Sequence, residues 1–152
     1  MSCGLSGGLT SHMKLAQTFV AGRVIDATSG KEWSNAAGAV TLVSVPSILG
    51  PRQKRELASK FSAQAVDMEA AAVAEVAAQA GVPFVALKSI SDELDFPMPP
   101  LQPFIKTNGR LAKARLLWFL LLRPWHWQAA IALARNSRVA SLALTQVLRH
   151  LI

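Results

Sequence analysis

The sequence has one cysteine, Cys3, among its 152 residues. A single thiol excludes an internal disulfide framework and is typical of proteins that work in a reducing compartment. The first residues also lack the basic start, apolar stretch and small-residue cleavage site of a secretion signal. We therefore expect a cytoplasmic protein whose fold does not depend on disulfide bonds.

Acidic residues are absent after Asp95. The segment up to Asp95 has a charge balance of −1, and the segment after it carries eight Lys or Arg, which together give the net charge of +7. A segment of one charge sign attracts anionic partners such as a membrane surface or nucleic acid. Its arginines alternate with long aliphatic runs and form no known nucleic-acid motif, which disfavours nucleic acid. A solvated basic face without a specific partner stays open.

Long apolar runs and metal-ligand spacings are also missing. The longest unbroken apolar run, Leu116–Leu122, has seven residues, whereas a membrane-spanning helix needs about 20. The three histidines, His12, His126 and His150, show no metal-ligand spacing with one another or with Cys3. We expect neither a spanning helix nor a metal site, and no cofactor.

What is present divides the chain into a core and a tail. Hydrophobic residues make up 51% of the sequence and charged residues 16%, a balance that predicts a largely buried interior. The Pro-rich stretch 96–103 separates a core domain, residues 1–100, from a basic, Trp-containing helical tail, residues 101–152. Tryptophans beside arginines are typical of a helix lying on an anionic membrane, although such tryptophans are more often packing residues.

Turn and strand signals predict the elements of the first half. Gly4, Gly7 and Gly8 predict a tight turn rather than a regular element. Two β-branched apolar runs, residues 19–25 and 39–45, predict strands. A polar, basic helix is expected to begin at Pro51, since proline is favoured at the first helical position.

The most regular pattern covers residues 65–90. A brief strand at 65–68 is followed by a helix whose apolar residues recur at i, i+3, i+4 and i+7, and Gly81 stands where a helix ends. The run 82–90 predicts a buried strand. If the two strands are parallel, strand, helix and strand form a right-handed βαβ unit.

Two carboxylates follow these two strands directly. Glu69 comes after the first strand and Asp92 after the second, so a parallel arrangement would bring both side chains to one edge of the sheet, where α/β folds place ligands. One carboxylate can then stay ionised and bind hydroxyls while the other donates a proton. The alternative is structural, because acidic residues at helix starts commonly serve as caps.

Three stretches resemble the nucleoside phosphorylase and nucleosidase superfamily. They are Ala65–Ala74, Gly81–Val85 and Ser89–Asp92, preceded by a Gly-rich opening at residues 3–9. The methylthioadenosine/S-adenosylhomocysteine nucleosidase type is similar in these blocks. The run 91–100 and the basic tail look more like the hopanoid-associated phosphorylases, which remove adenine from an adenosyl-hopanoid lipid. The resemblance implies a three-layer α/β/α domain with a mixed sheet.

The resemblance also implies a role for each matched position. Asp92 would protonate the purine at N7 and Ser91 would orient it, while Glu69 would hold the ribose hydroxyls. The remaining positions would bind substrate: Met68 against the sugar, Ser6 and Gly7 near the attacking water or phosphate, and Lys88 where relatives have arginine. Lysine keeps that charge but loses the planar fork of arginine. Phosphate would be a co-substrate rather than a cofactor.

The chain begins at the Gly-rich opening, whereas the family has a substantial segment before it. We therefore expect the fold to lack its N-terminal strands. Two functions stay open: cleavage of a purine nucleoside with release of adenine, and an inactive truncated remnant that binds a membrane or another partner through its tail. An exposed sheet edge would favour association, so a homo-oligomer is expected.

Overall fold

The structure is a computed structural model that describes residues 1–99, 103 and 127–151. The apolar run 116–122, which includes Trp118, lies outside the described residues, and so does Trp125. Within the described part there are six strands and three helices. In chain order these are β1 (Ser2–Gly8), β2 (Thr18–Asp26), β3 (Glu32–Ser34), β4 (Val40–Ser44), α1 (Pro51–Phe61), β5 (Ala65–Asp67), α2 (Ala70–Gln79), β6 (Ala86–Asp92) and α3 (Trp127–Leu151).

Local sequence signals predicted most of these elements correctly. The two β-branched runs form β2 and β4, and α1 begins at Pro51 as expected. Gly81, just after α2, has a φ of 64°, a left-handed conformation that glycine adopts without the strain other residues incur. The strand expected at 82–90 is confirmed in part, since β6 covers Ala86–Asp92.

The Gly-rich opening is a strand, so the prediction of a tight turn there was wrong. β1 pairs with β6 from Ser2 to Gly7 and with β5 at Gly7 and Gly8. Glycine is usually unfavourable within a strand, but it occurs where other groups approach the backbone closely. Such an approach exists at Gly7 and is described with the site below.

The sheet is mixed and its strands form a closed circuit. The order is β3-β2-β4-β5-β1-β6, and the first residues of β2 pair in addition with β6. Consequently β6 has β1 on one side and the start of β2 on the other. β3 pairs with β2 outside this circuit.

The expected parallel βαβ unit is absent from residues 65–92. β1 lies between β5 and β6, runs antiparallel to β5 and parallel to β6, and therefore sets β5 and β6 antiparallel to each other. The sequence shows strand, helix and strand in order, but it does not show that a strand from the start of the chain inserts between them. The expectation that these two strands are parallel was wrong, because β1 pairs with them in opposite directions.

Helices cover both faces of the sheet and give a three-layer domain. Side chains alternate along the strands, so that Val24 and Leu42 pack with the start of α2. Their neighbours Ile25 and Val43 pack on the opposite face, in the cluster that α1 joins through Leu57, Ala58 and Phe61. α3 packs against β6, β1 and β2 and buries Ala140 and Leu144. None of the three described helices has the length and apolar character required to cross a membrane.

Candidate active site

A cavity of about 210 Å³ opens where β1, β6 and the junction of β5 and α2 meet. Six of the seven residues predicted for the site line it: Ser6, Gly7, Met68, Glu69, Ser91 and Asp92. The structure therefore brings together side chains from three separate parts of the chain. Leu133 of α3 also lines the cavity, so the helix in the tail contributes to the same site.

Glu69 and Asp92 line the same cavity because of how β1 is paired with β5 and β6, and not because their strands are parallel. Gly7 of β1 is paired with Val66 of β5 on one side and with Asp92 of β6 on the other. This register sets the short strand β5 beside the carboxyl end of β6. Glu69, three residues after Val66, and Asp92 consequently line one cavity although their strands run in opposite directions.

Both carboxylate oxygens of Asp92 have a hydrogen-bond donor nearby. The hydroxyl of Ser91 lies 2.8 Å from Oδ1, as the predicted orienting role requires, and also 3.3 Å from the carbonyl oxygen of Ser6. The ammonium group of Lys54 lies 2.5 Å from Oδ2. Asp92 is buried, and its carboxylate is therefore fixed in direction by two side chains from different elements.

Lys54 is a site residue that the sequence analysis missed. It lies on α1, lines the cavity and has only 2% of its side chain exposed. The helix was interpreted simply as polar and basic. A signal was nevertheless present, because positions 54, 57, 58 and 61 follow the i, i+3, i+4, i+7 spacing of a buried helix face. A lysine on that face is expected to have a buried partner.

The structure disfavours the capping alternative for Glu69. Glu69 occupies the N-cap position of α2, but its side chain makes no capping hydrogen bond. Asp67 caps the helix instead, because its Oδ2 accepts a bond of 3.0 Å from the N–H of Ala70. Within the described part of the chain, the exposed Glu69 carboxylate has no hydrogen-bond or ion-pair partner. It is available to a ligand in the cavity.

Lys88 is placed differently from the other predicted residues, because it does not line the cavity. Its ammonium group lies 2.7 Å from Asp67, and the two side chains are 1% and 0% exposed. Asp67 also accepts a hydrogen bond of 2.6 Å from the hydroxyl of Ser44. In this structure Lys88 therefore holds Asp67, the last residue of β5, whose carboxylate caps α2.

Gly7 provides the space in which Asp92 and Lys54 meet. A Cβ atom at position 7 would lie 2.9 Å from Oδ2 of Asp92 and 3.4 Å from Cε of Lys54. Distances below 3.0 Å to a carboxylate oxygen are not found for real Cβ atoms. The glycine thus allows this ion pair to lie directly against the backbone of β1.

The arrangement suits acid–base chemistry on a polar ligand. Across the ranges that the structure describes, no three His, Cys, Asp or Glu side chains converge as a metal site. Three carboxylates line the cavity: Glu69, which has no partner among the described residues, Asp92, held by two donors, and Asp67, held by Lys88 and Ser44. Glu69 can bind hydroxyl groups while Asp92 exchanges a proton.

Several solved structures with this fold are named as nucleosidases or as futalosine hydrolase. The futalosine hydrolase of Helicobacter pylori is 24% identical, with a TM-score of 0.54 over 60% of this chain and 54% of that one. The 5′-methylthioadenosine/S-adenosylhomocysteine nucleosidase of the same organism, crystallised with butyl-thio-DADMe-Immucillin-A, is 18% identical, with a TM-score of 0.59 over 97% of this chain and 66% of that one. The corresponding nucleosidase of Chlamydia trachomatis, bound to adenine, is 17% identical, with a TM-score of 0.61 over 98% and 60%.

At these identities the likeness establishes the fold. In the first of these matches, the chain spans about half the length of its structural relative. A search of curated proteins finds no match. The model of the phosphorylase superfamily matches residues 36–118, more than half of the 152 residues, and this match includes Glu69 and Asp92. The chain belongs to the phosphorylase superfamily.

Proposed function

We propose that this chain cleaves the N-glycosidic bond of an adenosine-type nucleoside and releases adenine. One observation carries the proposal: Glu69, which has no partner among the described residues, and Asp92, held by two donors, line one cavity in a member of the phosphorylase superfamily. The structural relatives support the substrate class, since they include two nucleosidases, one of them with adenine bound.

Asp92 acts at the base end of the cavity. A departing purine carries developing negative charge, and a proton delivered to N7 allows the base to leave in neutral form. Asp92 supplies that proton from its protonated form and is left as the carboxylate that Lys54 and Ser91 contact. Ser91, 2.8 Å from Oδ1, fixes the direction in which the carboxyl group points. General acid catalysis of this kind contributes about 10²- to 10⁴-fold to the rate.

Glu69 acts at the sugar end. A carboxylate can accept hydrogen bonds from two neighbouring hydroxyls of a ribose at once. Met68, 39% exposed, lines the cavity beside it and offers an apolar surface to the sugar. The grip on the hydroxyls holds the ribose while positive charge develops at its anomeric carbon.

Water or phosphate completes the reaction at that carbon. Ser6 lines the cavity near Gly7, so its hydroxyl is the group we assign to the side of the nucleophile. With water the products are adenine and a free sugar. With phosphate as co-substrate they are adenine and a sugar 1-phosphate.

The experiment measures adenine released from adenosine, methylthioadenosine and S-adenosylhomocysteine, with and without phosphate. Asp92→Asn should lower the rate by about 10²- to 10⁴-fold, because the amide cannot deliver the proton. Asp95→Asn is the matched control, since Asp95 is exposed and pairs with Arg55 outside the cavity. A folded wild-type chain that releases no adenine from any of them, or a fully active Asp92→Asn variant, would contradict the proposal.

The outer face of α3 favours a lipid-linked substrate and contact with an anionic membrane. Trp127, Ile131 and Leu142 are exposed there, and Arg135 and Arg138 are exposed beside them. Apolar and cationic side chains on one exposed face suit an anionic lipid surface. The same helix lines the cavity through Leu133, so a membrane under α3 would lie near the cavity. An adenosyl-hopanoid is the lipid substrate we propose.

Vesicle sedimentation tests the proposed membrane contact. An inactive remnant that only binds membranes would show the same contact. Binding to anionic vesicles should weaken with salt and with the double change Arg135→Gln and Arg138→Gln. Arg52→Gln, at an exposed position on α1, is the control. If the protein does not bind the vesicles at low salt, the proposed membrane contact is wrong. The proposed cleavage of soluble nucleosides does not depend on that result.

A further inference from the structure

Lys54 is a buried cation that the proposed chemistry does not yet use. Its ammonium group has three acceptors: Oδ2 of Asp92 at 2.5 Å, the carbonyl oxygen of Glu93 at 2.8 Å and that of Asp92 at 3.4 Å. An ammonium group has three protons to donate, so all of them have an acceptor at the end of β6. The side chain is therefore held in one orientation toward Asp92.

A buried lysine is not explained by stability alone. Burying a charged pair costs desolvation, and replacing such pairs by apolar residues is often neutral or stabilising. The position shares a face of α1 with Leu57 and Phe61, which pack on the sheet, and it is buried, so an aliphatic residue would suit it. We therefore attribute the lysine to a role in the cavity rather than to the stability of the fold.

The position of Gly7 supports the same conclusion. Any larger residue would place its Cβ against Oδ2 of Asp92 and near Cε of Lys54. The Asp92 carboxylate thus has one position, which is set by the backbone of β1, the end of β6 and the Lys54 side chain from α1. With Lys54 on Oδ2 and Ser91 on Oδ1, rotation of the Asp92 carboxyl group is restrained from both sides.

We propose that Lys54 is a positioning residue that fixes the Asp92 carboxyl group for its hydrogen bond to N7 of the purine. The inference rests on the proposed function, because it assigns adenine to the Asp92 end of the cavity. It predicts that Lys54 contributes to recognition of N7 and acts only through Asp92. A purely structural lysine would change folding without changing which base is preferred.

The experiment compares the binding of adenine and of 7-deazaadenine by calorimetry. The second base has a C–H group in place of N7 and cannot accept the bond from Asp92. For the wild-type protein we expect a preference for adenine of about tenfold or more, as for one hydrogen bond to a charged or ionisable group. Lys54→Met should bring the ratio of the two dissociation constants close to one. Lys60→Met, an exposed lysine on the same helix, should leave it unchanged.

A second comparison separates action through Asp92 from direct contact and remains informative if Lys54→Met fails to fold. Asp92→Ala and the double variant Lys54→Met with Asp92→Ala should show the same ratio and the same affinity for both bases. The double variant leaves neither member of the pair buried without its partner. Thermal unfolding monitored by circular dichroism establishes that each protein is folded.

The outcomes are distinguishable. A folded Lys54→Met protein that keeps the wild-type ratio overturns the role of Lys54 and leaves the proposed function intact. Weaker binding of both bases by the double variant than by Asp92→Ala overturns it as well, because Lys54 would then contact the base itself. A folded wild-type protein that binds neither base contradicts the proposed function, and the role of Lys54 fails with it.

Discussion

Replacing Gly7 by alanine should force apart the ion pair at the tip of β6. The added Cβ would lie 2.9 Å from Oδ2 of Asp92, 3.2 Å from Cγ1 of Val66 and 3.4 Å from Cε of Lys54. The carboxylate must move, and it cannot move freely, since Lys54 and Ser91 hold its two oxygens. Overpacking at a closely packed position costs about 1–3 kcal/mol in the free energy of unfolding.

The assay for Gly7→Ala combines thermal unfolding with adenine release. For a chain of this length each kcal/mol shifts the melting temperature by about 2–4 °C, so we expect a decrease of roughly 2–12 °C. Adenine release should fall by more than the loss of folded protein accounts for, because the displaced group is the proposed general acid. Gly4→Ala is the matched control on the same strand, where the new Cβ would meet only Nζ of Lys88 at 3.7 Å, an ordinary contact.

Equal behaviour of the two variants would refute this reasoning. If Gly7→Ala has the same melting temperature and the same rate of adenine release as Gly4→Ala, the Asp92 carboxylate can move away from the added Cβ without cost. In that case Asp92 is not fixed by its surroundings, and its assignment as an oriented acid loses its geometric basis.

Two further changes test other parts of the molecule. Lys88→Met should lower the free energy of unfolding by about 3–5 kcal/mol, because it leaves Asp67 buried without its cation, and a loss below about 1 kcal/mol in urea denaturation would contradict this. The hydroxyl of Ser29, then the N–H of Thr28, holds the pKa of Asp26 below its ordinary value of 3.8. Asp26 therefore stabilises the fold above pH 3.8 and loses this contribution as the pH falls through its lowered pKa. Asp26→Asn should consequently melt below the wild type at neutral pH, with a difference that vanishes in acid; a difference independent of pH would be inconsistent with this origin.

Local elements could be predicted from the sequence because their signals are local. The β-branched runs of β2 and β4 and Pro51 at the start of α1 each depend on neighbours in the chain, and each was identified. β1 was missed because its glycines indicate a turn when taken alone. Their actual role, the close approach of Asp92 and Lys54 to Gly7, depends on residues distant in sequence.

Most residues of the site could be predicted from the sequence, but the strand arrangement that brings them together could not. Asp92, Ser91 and Glu69 were identified from motifs, and all three line the cavity. The reason given for their proximity, parallel strands, was wrong, because no local signal shows that β1 pairs with β5 and β6 in opposite directions. Lys54 could have been found from its place on the apolar face of α1, whereas its pairing with Asp92 could not.

The closed circuit of strands limits how a substrate can enter. β6 is hydrogen-bonded to β1 on one side and to the start of β2 on the other, so it cannot swing outward without breaking two ladders at once. Asp92 itself is paired with Gly7 of β1, and the β2 ladder holds β6 as far as Ser89. Among the residues that the structure describes, the cavity lining outside the ladders includes the segment Ser47–Leu49, Met98 and Leu133 of α3. We expect substrate entry and product release to depend on these parts of the lining more than on the sheet.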